Sequence, residues 1–375
     1  MTKIKVGYLE PKSSKIERIK GVIMLKALKI GNLVAEKPII QGGMGIGVSL
    51  SNLAGAVAKN GAIGVISAAQ IGFREPDFGT NPLGANLRAL KREIQRAKEI
   101  AQGGIIGVNI MVAMKNYAEY VKCCVESKVD IIISGAGLPA ELPKLVEGSD
   151  VKIAPIVSPP KAAKTLLKLW DKRYQRAADM VIIEGPLAGG HLGFTTEEVN
   201  KYEEIGYDKE ILEVIEIVKE YEEKYEKDIP VIFAGGVYDK ADIQHYMNLG
   251  CSGVQMGTRF VATKECDVDI KFKEAYVNAK EEDVVLTLSP VGMPGRAIEN
   301  PMIKISKEKK LTPNACYQCL RDCDIPSIPY CITSALVSAA KGDTQNALLF
   351  CGSNVHKIDR IMTVKELLDQ LTDEE

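Results

Sequence analysis

The sequence predicts an α/β chain folded as a (β/α)8 TIM barrel, with a small helical subdomain and a Cys-rich C-terminal extension. Three observations predict it. Eight short, almost continuously apolar runs recur along the chain, each suited to a strand buried on both faces. Charged, helix-patterned stretches separate them, as parallel strands require. Glycines cluster after many of the runs, at Gly42–Gly43, Gly135, Gly137, Gly189–Gly190, Gly235–Gly236 and Gly257, and so mark one ring-shaped mouth. A doubly wound sheet usually has fewer strands and a phosphate motif after its first.

The elements follow in order. Residues 1–27 form an N-terminal extension, within which Met24 is an alternative start. Leu28–Val34 (LKIGNLV) reads as the hairpin that opens the barrel. The eight strand runs are Pro38–Gln41, Ala62–Ser67, Ile105–Ile110, Asp130–Ser134, Lys152–Val157, Met180–Glu184, Pro230–Ala234 and Gly253–Met256. Amphipathic crossovers include Leu87–Ala101, Tyr117–Lys128, Ala162–Arg176 and Lys209–Lys227. The barrel is expected over 28–260. A small lid or substrate subdomain is expected over 261–300, with a helix at Lys271–Lys280 and a turn at Pro290–Pro294. A Cys-rich extension, 301–375, ends the chain.

Composition excludes several classes. Lys and Arg number 48 against 49 Asp and Glu, a net charge of −1, whereas a nucleic-acid module needs a basic surplus. Hydrophobic residues at 46% and charged residues at 26% fit a globular chain and not a disordered one. No apolar run reaches the roughly 18–20 residues of a membrane span. The N-terminus has no apolar stretch before a small-residue cleavage site. A cytoplasmic protein is expected, whose nine cysteines are thiols or ligands rather than disulfides. The charge balance permits a homo-oligomer.

The densest chemical signal is Gly185–Gly193 (GPLAGGHLG), directly after the sixth strand. His191, one of three histidines, sits there between glycines at a barrel's reactive end. An imidazole so placed suits proton transfer near neutrality. The plainer alternative is a loop His in a structural hydrogen bond. His245 lies in a helical context and reads as surface or packing; His356 has no assigned role. Strands seven and eight end in Ala234-Gly235-Gly236 and Gln255-Met256-Gly257-Thr258, the loops that often hold a phosphate in barrels. Thr258 offers a hydroxyl. Arg259 offers a charge, either to that phosphate or to an outer carboxylate. Asn109 ends strand three with both a donor and an acceptor. Gly42, Gly43 and Met44 end strand one, where the backbone allows close approach and Met44 gives a soft apolar face.

Cys316-x2-Cys319-x3-Cys323-x7-Cys331 is the other constellation. Thiolates at such spacing hold zinc or an iron–sulfur cluster, and the alternative is a set of reduced thiols packed as small hydrophobes. Cys123-Cys124 lies on a helical stretch and reads as packing; Cys251 and Cys266 carry no spacing signal.

Taken together, PIIQGGMG (38–45), GVN (107–109), SGAGLP (134–139), AGGHLG (188–193), AGGV (234–237) and VQMGTRF (254–260) resemble the nitronate monooxygenase family (formerly 2-nitropropane dioxygenases). The related flavin-dependent enoyl-acyl-carrier-protein reductase II shares much of this pattern. The resemblance implies an FMN-dependent barrel. It implies FMN contacts at Asn109, Gly189, Gly236 and Gln255–Thr258, with Gly190 and Gly235 in the same loops, and His191 as catalytic base. Many members carry Gln where this chain has Glu184, which changes the hydrogen bonding open to the flavin there. The implied reaction is oxidation of alkyl nitronates, or of nitroalkanes after proton removal, with O2 to a carbonyl compound and nitrite. The alternatives are an NAD(P)H-dependent enoyl-acyl-carrier-protein reductase and a flavin- or metal-binding protein without turnover.

Overall fold

The computed structural model describes residues 25–313 and 315–372; Met24 and most of the N-terminal extension lie outside the described residues. The chain opens with an antiparallel hairpin, β1 (Leu28–Ile30) and β2 (Leu33–Ala35), turned at Gly31 with φ +60°. Eight parallel strands then alternate with helices. They run β3 (Ile39–Gln41), α1 (Ser51–Lys59), β4 (Gly64–Ser67), α2 (Pro82–Ala101), β5 (Ile106–Met111), α3 (Tyr117–Glu126), β6 (Ile131–Gly135), α4 (Leu142–Leu145), β7 (Lys152–Val157), α5 (Pro160–Tyr174) and β8 (Val181–Glu184). A short strand, β9 (Gly190–His191), leaves the barrel. The series resumes with α6 (Thr196–Ile205), α7 (Asp208–Tyr225), β10 (Val231–Ala234), α8 (Lys240–Asn248), β11 (Gly253–Met256) and α9 (Thr258–Val261).

The strand order is β3-β11-β10-β8-β7-β6-β5-β4, and a parallel bridge between Ile40 and Ile63 joins the two ends into a closed ring. Two backbone bonds make that seam: Ile63 donates to Ile39 at 3.0 Å, and Gln41 donates to Ile63 at 2.9 Å. The buried Gln41 amide ties it further, donating to Ser49 Oγ at 2.9 Å and accepting from the Val65 N–H at 3.1 Å. Side chains alternate along each strand. Ile40, Val65, Ile131, Ile133, Ile182 and Ile232 fill the lumen, and Leu28 and Ile30 of the first hairpin pack onto the same cluster. The opposite set, including Ile66, Val108, Ile132, Ile183 and Val254, meets the helices. Every strand run in the sequence became a strand because both of its faces are buried. Helix α2 starts earlier than its apolar pattern, at Pro82, because the Asn81 side chain accepts the Gly84 N–H and Pro82 needs no donor there.

Beyond the barrel come α10 (Ile270–Val277), β12 (Val284–Leu288), β13 (Pro294–Ile298), α11 (Pro301–Glu308), α12 (Ile332–Ala340), β14 (Leu349–Phe350) and α13 (Val364–Thr372). Helix α10 is the helical element expected after the barrel. The antiparallel sheet around β13, which pairs with β12, β14 and β9, is an addition. Its strands escaped reading because β9 and β14 are two residues each and gain their partners only from distant chain. Helix α13 buries Leu367, Leu368 and Leu371 against the barrel's outer helices, so the chain end returns to the barrel. No helix of the described residues is long and apolar enough to cross a membrane.

Candidate active site

A cavity of about 540 Å3 opens at the C-terminal ends of the barrel strands, where barrel enzymes place their chemistry. His191 and every residue read as a cofactor contact line it: Gly42, Gly43, Met44, Asn109, Glu184, Gly189, Gly190, Gly235, Gly236, Gln255, Met256, Gly257 and Thr258.

The glycines serve the chain's own packing as well as the cavity. A methyl group on Gly43 would sit 2.5 Å from Asn109 Cβ, and one on Gly189 would sit 2.5 Å from the backbone carbon of Cys351. Gly235 and Gly236 have φ of +112° and +78°, which side chains rarely adopt. The bare wall therefore results from loops drawn tightly together around the mouth.

His191 stands on β9, with Gly295 of β13 as its backbone partner. Its Nε2 lies 2.6 Å from Ser289 Oγ, and its ring meets Phe350 edge-on at 5.0 Å. Burial pushes the imidazole pKa down from 6.5 to about 4, so the ring is neutral at pH 7. Glu184 ends β8 on the same wall, and burial pushes its carboxyl up from 4.5 to about 7. The two groups line one cavity whose walls disfavour charge on either.

Arg259 lines the cavity, but its guanidinium is tied to neighbouring protein groups. It donates to the Tyr238 carbonyl at 2.8 Å and to Gln370 Oε1 at 2.7 Å, and its guanidinium lies over the Tyr238 ring. Its partners are thus a carbonyl, an amide and a ring. Thr258 Oγ1 accepts the Gly352 N–H at 2.8 Å. His245 pairs with Asp208 at 3.1 Å on the surface, and Cys124 is buried in the core.

The sequence reading missed three contributors. Ser289 carries the partner of His191 yet lies 98 residues away. The segment from Leu348 to Asn354 forms one wall of the mouth; there Asn354 Nδ2 donates to the Gly236 carbonyl at 2.6 Å. The Arg296 guanidinium is buried and donates to the carbonyls of Pro186 at 2.8 Å and Ala188 at 2.6 Å, which fixes the loop leading to His191. A basic residue within an otherwise apolar run (PGRAI) was the only available signal for it.

The closed ring, the mouth at the strand C-termini and the two titratable groups facing it define a barrel enzyme. A family model described as Nitronate monooxygenase matches residues 26–374, and the chain belongs to that family. It is an oxidoreductase and a flavoprotein. Among relatives, a probable nitronate monooxygenase of Staphylococcus aureus (strain MSSA476) is 24% identical over 293 residues, 72% of this chain and 78% of that one. The solved structure of FabK from Thermotoga maritima is similar at TM-score 0.69 and 27% identity, covering 91% of this chain and 93% of that one. A nitroalkane oxidase from Streptomyces ansochromogenes shares the fold at TM-score 0.68 and 22% identity, covering 90% and 95%.

The wall suits a flavin. Gln255 Oε1 and Ser353 Oγ are buried polar atoms with no hydrogen-bond partner, and both residues line the cavity. A ligand with hydroxyl and N–H groups satisfies them, as the ribityl chain and ring of a flavin do. Among the described residues, no group of three or more His, Cys, Asp or Glu is arranged to hold a metal ion.

Proposed function

We propose that the chain is an FMN-dependent nitronate monooxygenase. It oxidises alkyl nitronates, and nitroalkanes after deprotonation, with O2 to carbonyl compounds and nitrite, with His191 as general base. The observation that carries this reading is the position of His191, neutral and held by Ser289 on the glycine-lined mouth. Asn109, Glu184 and Gln255 are the polar groups for the flavin ring and ribityl chain. The loops at Gly189–Gly190, Gly235–Gly236 and Met256–Thr258 would hold the phosphate side, with Gly42, Gly43 and Met44 against the ring. Bound FMN supplies electron acceptance from the substrate and onward transfer to O2.

The chain's own groups do the rest. The neutral imidazole takes the proton α to the nitro group, and the imidazolium then pairs with the nitronate anion it has created. That pair is net neutral, so the pocket that disfavours either charge alone tolerates both together. Ser289 and the β9–β13 pairing hold the ring in one orientation, which limits the reorganisation the step needs. General-base catalysis is worth about 10²–10⁴-fold. His191→Asn should therefore lower turnover of neutral nitroalkanes within that range and spare preformed nitronates. Equal losses on both substrates would remove the assignment.

The apolar wall of Met111, Leu138, Ile332, Leu336 and Leu348 favours a second reading, an NAD(P)H-dependent FMN enoyl-acyl-carrier-protein reductase, whose acyl chain would lie there. Anaerobic mixing separates the two. Bleaching of the flavin by a nitronate supports the first reading, and bleaching by NADH or NADPH supports the second.

A further inference from the structure

We propose that a second cavity, outside the mouth, binds the phosphate group of a phosphorylated ligand through Arg259, Lys357 and Arg360. The cavity has a volume of about 470 Å3 and lies between the loop after β10, α9, the segment from Lys357 to Met362 and the last turn of α13. Tyr238 and Arg259 line both this cavity and the mouth, so the two share a wall. At that wall stands a charge without a counterion. Arg259 is 8% exposed, and a guanidinium so deeply placed normally has a carboxylate beside it. Here its partners are the Tyr238 carbonyl, the Gln370 amide oxygen and the face of the Tyr238 ring, whose centroid is 4.4 Å away. Among the described residues, no carboxylate lies within ion-pair distance of it. Two of its N–H groups are used by those oxygens, and the others remain for a ligand.

Two further cations surround the same space. Lys357 Nζ lies 5.6 Å from the Tyr238 ring centroid, and the Tyr238 hydroxyl donates to the Lys357 carbonyl, which holds that segment in place. Arg360 lines the cavity three residues on and makes no hydrogen bond or ion pair among the described residues. The ring face attracts each cation beside it but neutralises neither. Two carboxylates share the cavity, Asp239 and Asp359. Asp239 caps α8, accepting the Asp242 N–H at 3.1 Å, so the positive end of that helix meets its charge. Asp359 is exposed and accepts no hydrogen bond among the described residues. Three cations against that one carboxylate leave an excess of two, which matches the roughly two negative charges of a phosphate monoester near neutral pH. A simple carboxylate ligand brings half of that. The guanidinium fork and the lysine point charge both suit phosphate oxygens. A single phosphate group reaches a guanidinium this deeply buried, whereas the flat acidic face of a protein does not. Two sources have this chemistry. One is a co-substrate whose other end enters the mouth past the shared wall, as a pyridine dinucleotide would; the other is a separate phosphorylated effector. The first source rests on the reductase reading; the site itself rests on neither reading.

The test is calorimetric titration of the full chain, loaded with one FMN, with pyrophosphate at constant ionic strength. We expect saturable binding of one pyrophosphate per chain. The Lys357→Gln/Arg360→Gln double variant should bind at least about tenfold more weakly, with an unchanged melting temperature in the absence of ligand, because both side chains are exposed. Lys219→Gln, on α7, should bind as the wild type does. Where the double variant does not fold, Arg360→Gln alone carries the comparison. No saturable binding in the millimolar range overturns the proposal, and so does an unchanged affinity in the variant. Binding confined to the FMN-free chain also overturns it, since the probe has then entered the flavin's phosphate loops. Binding confined to a chain ending at Thr372 gives the cavity to the chain's own acidic end and overturns it as well. NADPH that displaces pyrophosphate from the wild type identifies the co-substrate, and binding that NADPH leaves untouched identifies a separate effector; both support the site. A chain that takes up no FMN yet binds pyrophosphate sinks the flavin reading alone.

Discussion

Glu184 and His191 should carry opposite pH dependences of stability that cancel in the intact chain. An unfolded Glu loses its proton near pH 4.5, whereas burial lets the folded carboxyl keep it to about pH 7. Between those values the folded state binds more protons, so this group makes stability fall as pH rises. An unfolded His gains its proton below pH 6.5, whereas the folded ring gains one only near pH 4. Between those values the unfolded state binds more protons, so this group makes stability rise with pH. The shifts are equal in size and overlap from pH 4.5 to 6.5, and there the slopes offset each other. At about 1.4 kcal/mol per pH unit, each group contributes at most about 3 kcal/mol, and water in the open mouth reduces that to roughly 1–2 kcal/mol. Urea midpoints of flavin-stripped protein at intervals from pH 4 to 8 measure the effect. Relative to the wild type, His191→Asn should add a decline in stability between pH 4 and 6.5, and Glu184→Gln should add a rise between pH 4.5 and 7. Difference curves of the same sign, or flat ones for both variants, would refute the assignment of the two shifts to burial in one shared pocket.

Further outcomes follow from the loops around that pocket. Arg296→Met strips the buried donor from the Pro186 and Ala188 carbonyls and should destabilise by about 3–5 kcal/mol in urea unfolding. Glu203→Gln should cost less than about 1 kcal/mol in the same assay, because its carboxylate is 43% exposed. Gly189→Ala drives a methyl group into the Cys351 backbone; it should cost about 1–3 kcal/mol by the same measurement and lower the flavin retained through gel filtration.

The barrel was legible because each strand carries its own instruction. Runs such as Ile131–Gly135 and Val231–Ala234 are apolar on both faces, and no partner has to be known to read them. His191 was legible for a related reason, since its position follows from the sixth strand's end. Ser289, Arg296 and the wall from Leu348 to Asn354 were not, because each acquires its place only through a partner far along the chain. The glycines show where such reading is ambiguous. Glycine at a strand end reads as room for a ligand, yet the space beside Gly189 is filled by the Cys351 backbone, and that beside Gly43 by Asn109. In sequence, a glycine that admits a cofactor and one that admits the chain's own tail look alike. Here the second arrangement builds the wall that the first requires, because the Gly352 N–H reaches Thr258 and Asn354 reaches Gly236 only once the tail lies close against Gly189. The mouth is thus held by segments from opposite ends of the fold. A substitution in the last thirty residues should disturb the flavin as directly as one in the barrel loops, and no local motif would have said so.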